Sequence, residues 1–200
     1  MQSADQRFAP FAPHMDVRTT MVDLERSDRE LADEVTRSGD ERAFRELYRR
    51  HTPTLFPFVL RVVGGAEADA EDVVQDTWVR AVRALPRFRW ESAFRTWLVG
   101  IGLNRARELL RKHSRRETLL EGQDMARVVR PQDAETLDLE RAIQCLPDGY
   151  RTVLLLHDLE GFTHPEISER LEIAIGTSRS QLHHARRALR RLLEPTEKPA

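Results

Sequence analysis

The sequence predicts an all-α protein built from two small helical domains joined by a flexible linker. Apolar residues recur at intervals of three and four along most of the chain, which is the spacing of one face of an α-helix. No segment shows the sustained alternation of apolar and polar residues that is typical of a half-buried strand. Proline and glycine fall between the periodic segments, where they end one helix before the next begins.

The composition is that of a globular and very polar chain, with 40% hydrophobic, 32% charged and 6% aromatic residues. The formal net charge of −1 hides a strong segregation of charge. Basic residues outnumber acidic ones seven to one between Arg95 and Arg116, and Arg179 to Arg191 holds five arginines and no acid. The segment from Glu67 to Asp76 holds five acids and no base. Two basic stripes favour nucleic-acid binding whatever the net charge, although one basic helix alone is more often a solvated surface.

Cys145 is the single cysteine, so the chain can form neither an internal disulfide framework nor a cysteine-based zinc site. No apolar run approaches the roughly 18 residues that span a membrane. The N-terminal segment lacks the apolar core of a secretory signal. We therefore expect a cytoplasmic protein without membrane insertion.

The first domain is predicted over residues 28–112 and follows an N-terminal extension, residues 1–27, that we expect to be mobile. The extension carries two prolines and no clear periodicity. Ser27 or Asp28 is positioned to cap the first helix of the domain, and Ser38-Gly39-Asp40 ends it.

The second helix begins after this break, and its apolar positions continue past Pro53 and Pro57 to Gly64-Gly65. Proline inside a helix removes a backbone hydrogen bond, so the continuity of this helix is left open. A third helix starts in the acidic segment and closes at Pro86. Its predicted apolar face consists of Val73, Val74, Thr77, Trp78, Ala81, Val82 and Leu85.

A fourth helix is predicted from about Phe94 to Arg116, with an apolar first half and a basic second half. The loop before it, RFRWESAF, is rich in aromatic and charged residues. Aromatic rings beside cations suit unstacked bases of single-stranded nucleic acid, because every base offers a face for stacking. The alternative is that Phe94 and Trp97 belong to the core, and we expect this of at least one of them.

Residues 113–134 are predicted to form the flexible linker, because they are polar, contain Gly122 and Pro131 and lack a sustained apolar face. The second domain follows over residues 135–195. Its first helix is broken at Pro147-Asp148-Gly149.

The second domain ends in a short helix, a turn and a longer basic helix, which is the layout of a helix-turn-helix. Thr163-His164-Pro165-Glu166 has the form of a capping box for the short helix, and Thr177 is positioned to cap the longer one. At about 100° per residue, the leucines of the longer helix form one stripe, with arginines and histidines opposite. That polar face carries the donors that a helix in the major groove requires, whereas an ordinary amphipathic surface helix is the alternative.

The adjacent His183 and His184 do not predict a metal site. Neighbours on a helix diverge by about 100°, whereas helical ligand pairs lie four residues apart, and neither Arg187 nor Ala188 is a ligand. The chain also lacks a Gly-x-Ser-x-Gly elbow and a Gly-Lys-Ser/Thr phosphate loop. We therefore predict no catalytic residue, no metal, no cofactor and a protein that is not an enzyme.

Four stretches, in this order, resemble the extracytoplasmic-function (ECF) group of bacterial sigma factors, the small promoter-recognition subunits of RNA polymerase. The first core helix of that family is similar to DERAFRELYRRH, and its polymerase-docking helix to AEDVVQDTWVRAVRALPRF. Its −10-reading loop and helix are similar to SAFRTWLVGIGLNRARELLRK, and its −35-binding helix-turn-helix to the segment from Leu146 to Leu193. The resemblance covers about residues 28–112 and 135–193 and implies a sigma region 2 bundle and a sigma region 4 helix-turn-helix.

The resemblance implies a role for specific residues. Asp72, Gln75 and Asp76 would face the polymerase clamp, and an acidic, partly apolar face suits a basic coiled coil. The implied contacts to the −10 element are Trp90, Glu91, Ser92, Phe94, Trp97, Asn104, Arg107 and Arg111. The implied contacts to the −35 element are Arg179, Ser180, Gln181, His183, His184 and Arg187.

Two departures from the family pattern concern these surfaces. Ser178-Arg179-Ser180-Gln181 stands where many members have a Val-Arg-Ser-Arg-like run, so an amide replaces a cation. Gln181 either reads adenine or packs against the domain. In the −10 helix, Leu103 and Glu108 stand where related sequences often have Arg and Asp.

The resemblance implies a sigma factor that binds core RNA polymerase through clamp and flap regions and directs initiation at promoter DNA. An anti-sigma factor is a further partner that the sequence leaves open. The main rival is a conventional helix-turn-helix regulator, which needs neither the acidic docking helix nor a single-strand reader. A sigma-like decoy for an anti-sigma factor is a second rival, but a decoy is expected to lose the DNA-facing cations that this chain keeps.

Overall fold

The computed structural model describes residues 26–120 and 138–194, with side chains described to Ser114 in the first range. Within these ranges the protein has eight α-helices and no strand, which confirms the predicted all-α fold class. The helices are α1 (Asp28–Ser38), α2 (Glu41–Val62), α3 (Glu67–Ala84), α4 (Phe94–Leu120), α5 (Leu139–Gln144), α6 (Asp148–Leu154), α7 (His164–Leu171) and α8 (Ile175–Leu193). A short 3₁₀ turn follows α3, and a π-helical turn, Leu155–Leu159, follows α6. The predicted N-terminal extension lies almost entirely outside the described residues.

The chain divides into two compact units, Met1–Leu47 and Tyr48–Ala200. In the described part of the first unit, Ser27 caps α1 and is thus the one of the two predicted candidates that is used. It also forms a reciprocal capping box with Glu30. The side chains of Leu31 and Ala32 on α1 are buried. Helix α1 ends at a glycine in the left-handed conformation, which costs a residue without a Cβ little.

Helix α2 runs unbroken through Pro53 and Pro57, which settles the continuity that the sequence left open. Each proline removes a helical hydrogen bond and crowds the preceding turn. The helix persists because burial of Phe58 and Val59, each no more than 1% exposed, favours its last two turns. Gly64 and Gly65 then reverse the chain with φ angles of 78° and 87°.

Helices α3 and α4 pack closely in the second unit, and Gly102 of α4 lies against both α2 and α3. A Cβ atom on Gly102 would lie 3.2 Å from Leu55 Cδ1 and 3.5 Å from Thr77 Oγ1. Thr77 is fully buried and donates its hydroxyl to the Val73 carbonyl at 2.6 Å. The predicted apolar face of α3 is buried except at Val82, which is 39% exposed.

Helix α4 continues to Leu120, past the predicted start of the linker at residue 113. No glycine or proline lies between residue 113 and Gly122, so nothing local ends the helix at the predicted linker start. The rest of the predicted linker, residues 121–134, lies outside the described residues.

In the region from α5 to α8, Arg151 is buried and only 4% exposed. Its guanidinium donates to the carbonyl oxygens of Leu146 at 2.8 Å, Gln144 at 3.1 Å and Val62 at 3.2 Å. It also pairs with the carboxylate of Asp148. Burial lowers the pKa of Arg151, but arginine remains protonated. The cation therefore satisfies the carbonyl groups left open where α2 and α5 end.

Helix α7 begins as predicted, with a capping box between Thr163 and Glu166. The predicted cap of α8 at Thr177 is wrong, because α8 begins at Ile175 after Ala174, which gives no side-chain cap. The turn between the two helices is made by Glu172, whose φ of 56° and ψ of 43° redirect the chain. After this turn α8 begins at Ile175, two residues before Thr177, which is the first residue there with a side chain that could cap the helix.

We expect Glu172→Gly to raise the free energy of unfolding by about 1 kcal/mol. A left-handed conformation costs a residue with a Cβ roughly that much, and glycine adopts it without strain. Urea unfolding followed by circular dichroism measures the change. Glu169→Gly, at an exposed position within α7, is the matched control and should lose about 1 kcal/mol instead. Equal losses in both variants would contradict the prediction.

Candidate nucleic-acid interface

The polar face of α8 borders a groove of about 520 Å³. We call it the cationic groove, and it is lined by His164, Arg179, Leu182, His183, Arg186, Arg187 and Arg190. None of these described lining residues is acidic. A groove lined by charge of one sign concentrates the electrostatic potential and attracts the opposite charge. Its chemistry suits a polyanion.

The structure brings together three of the six residues predicted to face the −35 element, namely Arg179, His183 and Arg187. Ser180 is exposed, and its hydroxyl donates to the Thr177 carbonyl at 3.0 Å. Gln181 is partly buried, and a Cβ atom on Gly149 would lie 3.2 Å from its Nε2 atom. Of the two alternatives for Gln181, this position favours packing against the start of α6.

The paired histidines differ in their surroundings. His183 lines the cationic groove, whereas the ring of His184 is stacked on Tyr150 with 5.7 Å between ring centroids. The described residues include no group of His, Cys, Asp or Glu side chains that could hold a metal ion. The two histidines thus have different neighbours, although their own rings pack edge to face with centroids 5.7 Å apart.

Sequence reasoning missed three residues of the groove, His164, Arg186 and Arg190. The arginines could have been found, because they continue the helical spacing of Arg179 and His183. Asp158 accepts two hydrogen bonds from Arg186, at 2.7 and 3.1 Å, and this pairing lowers the pKa of Asp158. His164 belongs to α7, and no spacing within α8 points to it.

The loop before α4 forms an aromatic cluster with the start of that helix. Phe88 stacks on Trp97 with ring centroids 4.4 Å apart, and it packs on Trp90 at 4.7 Å. Trp90 has a φ of 57°, which is unusual for a residue with a large side chain. Phe94 is only 3% exposed and lies 4.9 Å from the ring of His51. Its ring serves the core in this conformation, so we leave Phe94 out of the proposed base contacts.

The other predicted −10 residues have different exposures. Glu91 and Ser92 are exposed, and Glu91 pairs with Arg89 at 2.8 Å. Asn104 and Arg111 are exposed on α4. These positions therefore remain accessible in this conformation.

Arg107 is partly buried and donates to two carbonyl oxygens at the end of α7. These are the carbonyls of Arg170 at 3.1 Å and Leu171 at 2.9 Å, and burial lowers the pKa of Arg107. Arg95, earlier on α4, also reaches past its own helix and pairs with Glu160 at 2.9 Å. Arg107 could contact DNA only if it gave up its hydrogen bonds to these two carbonyl oxygens.

The exposed face of α3 carries two of the three residues predicted to meet polymerase. Asp72 and Gln75 are exposed, whereas Asp76 is partly buried and pairs with Arg80 and Arg105. Val79 and Val82 are 43% and 39% exposed and lie at helical spacing from Asp72 and Gln75. We call these four residues the docking face: Asp72, Gln75, Val79 and Val82. It combines a carboxylate with exposed apolar surface, which is the composition of many protein interfaces.

No helix in the part of the chain that the structure describes is both long and apolar enough to cross a bilayer.

Two family models match the chain, Sigma-70 region 2 over residues 47–116 and Sigma-70 region 4 over residues 136–189. The first contains the docking face, the aromatic cluster and most of α4, and the second contains all of the cationic groove except Arg190. Both matches follow the order that the resemblance predicted.

Curated relatives match over nearly their whole length. The RNA polymerase sigma-H factor of Pseudomonas aeruginosa is 33% identical over 184 residues, which span 84% of this chain and 94% of that protein. The ECF RNA polymerase sigma-E factor of Haemophilus influenzae is 32% identical over 185 residues, with coverages of 84% and 96%. The Escherichia coli K12 sigma-E factor is 31% identical over 185 residues, with coverages of 84% and 95%.

Two solved structures are similar in fold. CnrH, solved with the cytosolic domain of CnrY, has a TM-score of 0.50 and 31% identity, covering 82% of this chain and 96% of that one. The sigma factor RpoE of Bartonella quintana, solved with the anti-sigma factor NepR, has a TM-score of 0.58 and 24% identity, covering 78% and 98%. With two sigma regions in order and curated relatives above 30% identity, the chain belongs to the ECF group of sigma-70-type RNA polymerase sigma factors, which bind core polymerase and direct it to promoters.

Proposed function

We propose that the three surfaces divide the work of promoter recognition among them. The cationic groove receives the −35 duplex, the aromatic cluster with Asn104 and Arg111 receives the opened −10 strand, and the docking face binds the polymerase clamp. The observation that carries this assignment is the groove on α8, lined by four arginines and two histidines without an acid. Phosphate contacts supply much of the affinity of such a surface and fix its register on the duplex.

The −10 assignment rests on the combination of rings at the start of α4 with hydrogen-bond donors further along the same helix. Trp90 and Trp97 are half-buried and keep part of their surface accessible. Stacking of a base on an aromatic side chain is worth about 1–3 kcal/mol and needs no particular sequence. Asn104 and Arg111 supply exposed hydrogen-bond donors on the same helix.

The proposal also covers the site of action and the chemistry. We place the protein in the cytoplasm, where core polymerase and the chromosome are. We assign it no catalytic step of its own, so its effect on transcription comes from binding alone.

In vitro transcription tests the proposal. Purified chain and core polymerase are incubated with genomic fragments that lie upstream of transcripts induced by overexpression. We expect initiation at defined start sites only when the chain is present, and capture of core polymerase by the tagged chain. Absence of both specific initiation and core binding would overturn the proposal.

A gel shift separates the conventional regulator from this proposal. A regulator would bind its operator equally well with and without core polymerase. We expect specific binding of the promoter fragment to strengthen markedly when core is added, because the −10 strand is read only in the opened complex.

An anti-sigma partner is a further proposal, supported by CnrH, which was solved with the cytosolic domain of CnrY and is 31% identical. A protein that covers the docking face would block core binding. Co-purification of the chain from its native cells, followed by competition with core polymerase, tests it. A co-purified protein that leaves core binding unchanged would contradict this role.

The histidine pair provides a prediction within the groove. His183→Ala should weaken promoter binding about threefold to tenfold, because His183 lines the cationic groove. His184→Ala should change it little, because that ring lies on Tyr150. Fluorescence anisotropy of the holoenzyme with a labelled promoter duplex measures both. A larger effect at His184 than at His183 would contradict the assignment of the groove.

A further inference from the structure

A histidine that no family resemblance singled out lies at the rim of the cationic groove. His164 is the first residue of α7, directly after the Thr163 cap. It faces the same groove as Arg179, His183 and Arg187, although it comes from the other helix of the helix-turn-helix. Its position joins the two helices at the surface proposed to meet the −35 duplex.

The ring of His164 is held in one orientation by two contacts. Its Nδ1 atom lies 2.9 Å from the hydroxyl oxygen of Ser178, which is fully buried on α8. Its ring centroid lies 4.8 Å from that of His157. The capping box between Thr163 and Glu166 fixes the backbone on which the ring sits. Because Nδ1 is engaged by Ser178, Nε2 is the nitrogen left to serve another partner.

We propose that His164 is a backbone contact of the −35 duplex, donating from Nε2 to a phosphate that Arg179 and Arg187 also approach. Ser178 acts as its positioning residue. This inference rests on the proposed role of the cationic groove in −35 binding and adds a contact from α7 to that role. A phosphate contact sets register and affinity and carries no base preference.

The charges around His164 give the contact a pH dependence. His157 and Asp158 approach from the turn after α6, and Arg179, His183 and Arg186 from α8. Burial, His157, Arg179 and Arg186 lower the pKa of His164 below its usual value of 6.5. The ring is therefore neutral at neutral pH in the free protein. A phosphate beside Nε2 favours the protonated ring, so binding takes up a proton at mildly acidic pH.

The test uses holoenzyme reconstituted from the full chain and core polymerase. The probe is a labelled promoter duplex selected by the wild-type holoenzyme from a random-sequence pool. Affinities of the wild type and His164→Ala are measured at pH about 8 and about 6 over a range of salt concentrations. We expect a loss of about threefold at the higher pH and about tenfold at the lower, because charge-assisted hydrogen bonds are roughly twice as strong as neutral ones.

Two further readouts separate a phosphate contact from a structural role. At the lower pH, His164→Ala should reduce the slope of log affinity against log salt by about 1, as loss of one charged phosphate contact does. The base preference selected by the variant should be that of the wild type. A changed −35 preference would overturn the phosphate role in favour of a base contact.

Conservative variants sharpen the assignment. His164→Gln places an amide nitrogen near the position of Nε2. Its affinity for the duplex should therefore equal that of the wild type at the higher pH. It should lack the increase in affinity that the wild type shows at the lower pH, because an amide takes up no proton. Ser178→Ala should also weaken binding of the promoter duplex, but by less than His164→Ala does. His113→Ala, a half-exposed histidine of α4 that lies beside Asp69 and outside the groove, is the matched control and should keep the wild-type salt slope at both pH values.

The outcomes distinguish this inference from the proposal on which it rests. If the wild-type holoenzyme binds no promoter duplex, the proposed role of the groove fails and this inference fails with it. If the wild type binds and His164→Ala matches it in affinity, salt slope and pH dependence, the inference alone is overturned. Reduced thermal stability with unchanged binding would assign His164 to packing and overturn it as well.

Discussion

Asp72→Arg is expected to weaken core polymerase binding about 30-fold, equivalent to roughly 2 kcal/mol. Asp72 is exposed on α3 beside Gln75, Val79 and Val82, and this docking face lies within sigma region 2. Reversing its charge places a cation against the basic surface that the family resemblance implies on the polymerase clamp. Like charges across an interface cost several kcal/mol. Surface plasmon resonance with immobilised core polymerase measures the loss.

The control for Asp72→Arg is Asp33→Arg, the same charge reversal at an exposed position of α1. It should leave the affinity for core polymerase within about twofold of the wild type, because Asp33 is not one of the docking-face residues and an isolated exposed charge is screened by salt. Val79→Ser should weaken binding by a smaller amount and with little salt dependence, since it removes apolar area and no charge. Equal affinities for Asp72→Arg and Asp33→Arg would contradict the assignment of the docking face.

Arg151→Leu is expected to lower the free energy of unfolding by about 3 kcal/mol. The buried guanidinium satisfies three carbonyl oxygens, those of Val62, Gln144 and Leu146. A leucine fills part of the volume but offers no donor, so these acceptors lose their partners. Urea unfolding followed by circular dichroism measures the loss.

Two variants test whether the geometry of Arg151 matters. Arg151→Lys keeps the charge but cannot present the fork of donors that reaches several acceptors, so it should lose nearly as much stability as leucine. Arg141→Leu, at an exposed position on α5, should change the unfolding free energy by less than about 0.5 kcal/mol. A stable Arg151→Leu variant would show that solvent satisfies the carbonyl groups.

The sequence predicted the start of a helix well where the capping residue and its partner lie within a few residues of each other. The capping boxes at Ser27 and Thr163 each depend on residues three apart, and both are present. The cap at Thr177 failed because Glu172 adopts a left-handed conformation and starts α8 earlier. A residue with a Cβ rarely adopts that conformation, so the sequence carries no signal for it.

Side-chain exposure was predicted less well than helix position. Apolar spacing placed Val82 on the apolar face of α3, but the helix buries only part of its apolar residues and leaves Val79 and Val82 exposed. For Phe94 the sequence left two alternatives, a contact to the −10 element and a place in the core. Its ring is buried beside His51. Periodicity shows which residues share a face, and the packing partner decides how wide the buried part of that face is.

The sequence by itself determined the helical character of the chain, the order of its regions and the segregation of acidic from basic helices. These properties follow from residue type and from spacing within one helix. Only the tertiary structure decided that His164 joins Arg179 and His183 in one groove, that His184 turns to Tyr150 and that Arg151 reaches the Val62 carbonyl. Such groupings join residues from different helices, and helical periodicity carries no information about which residues of another helix will lie opposite.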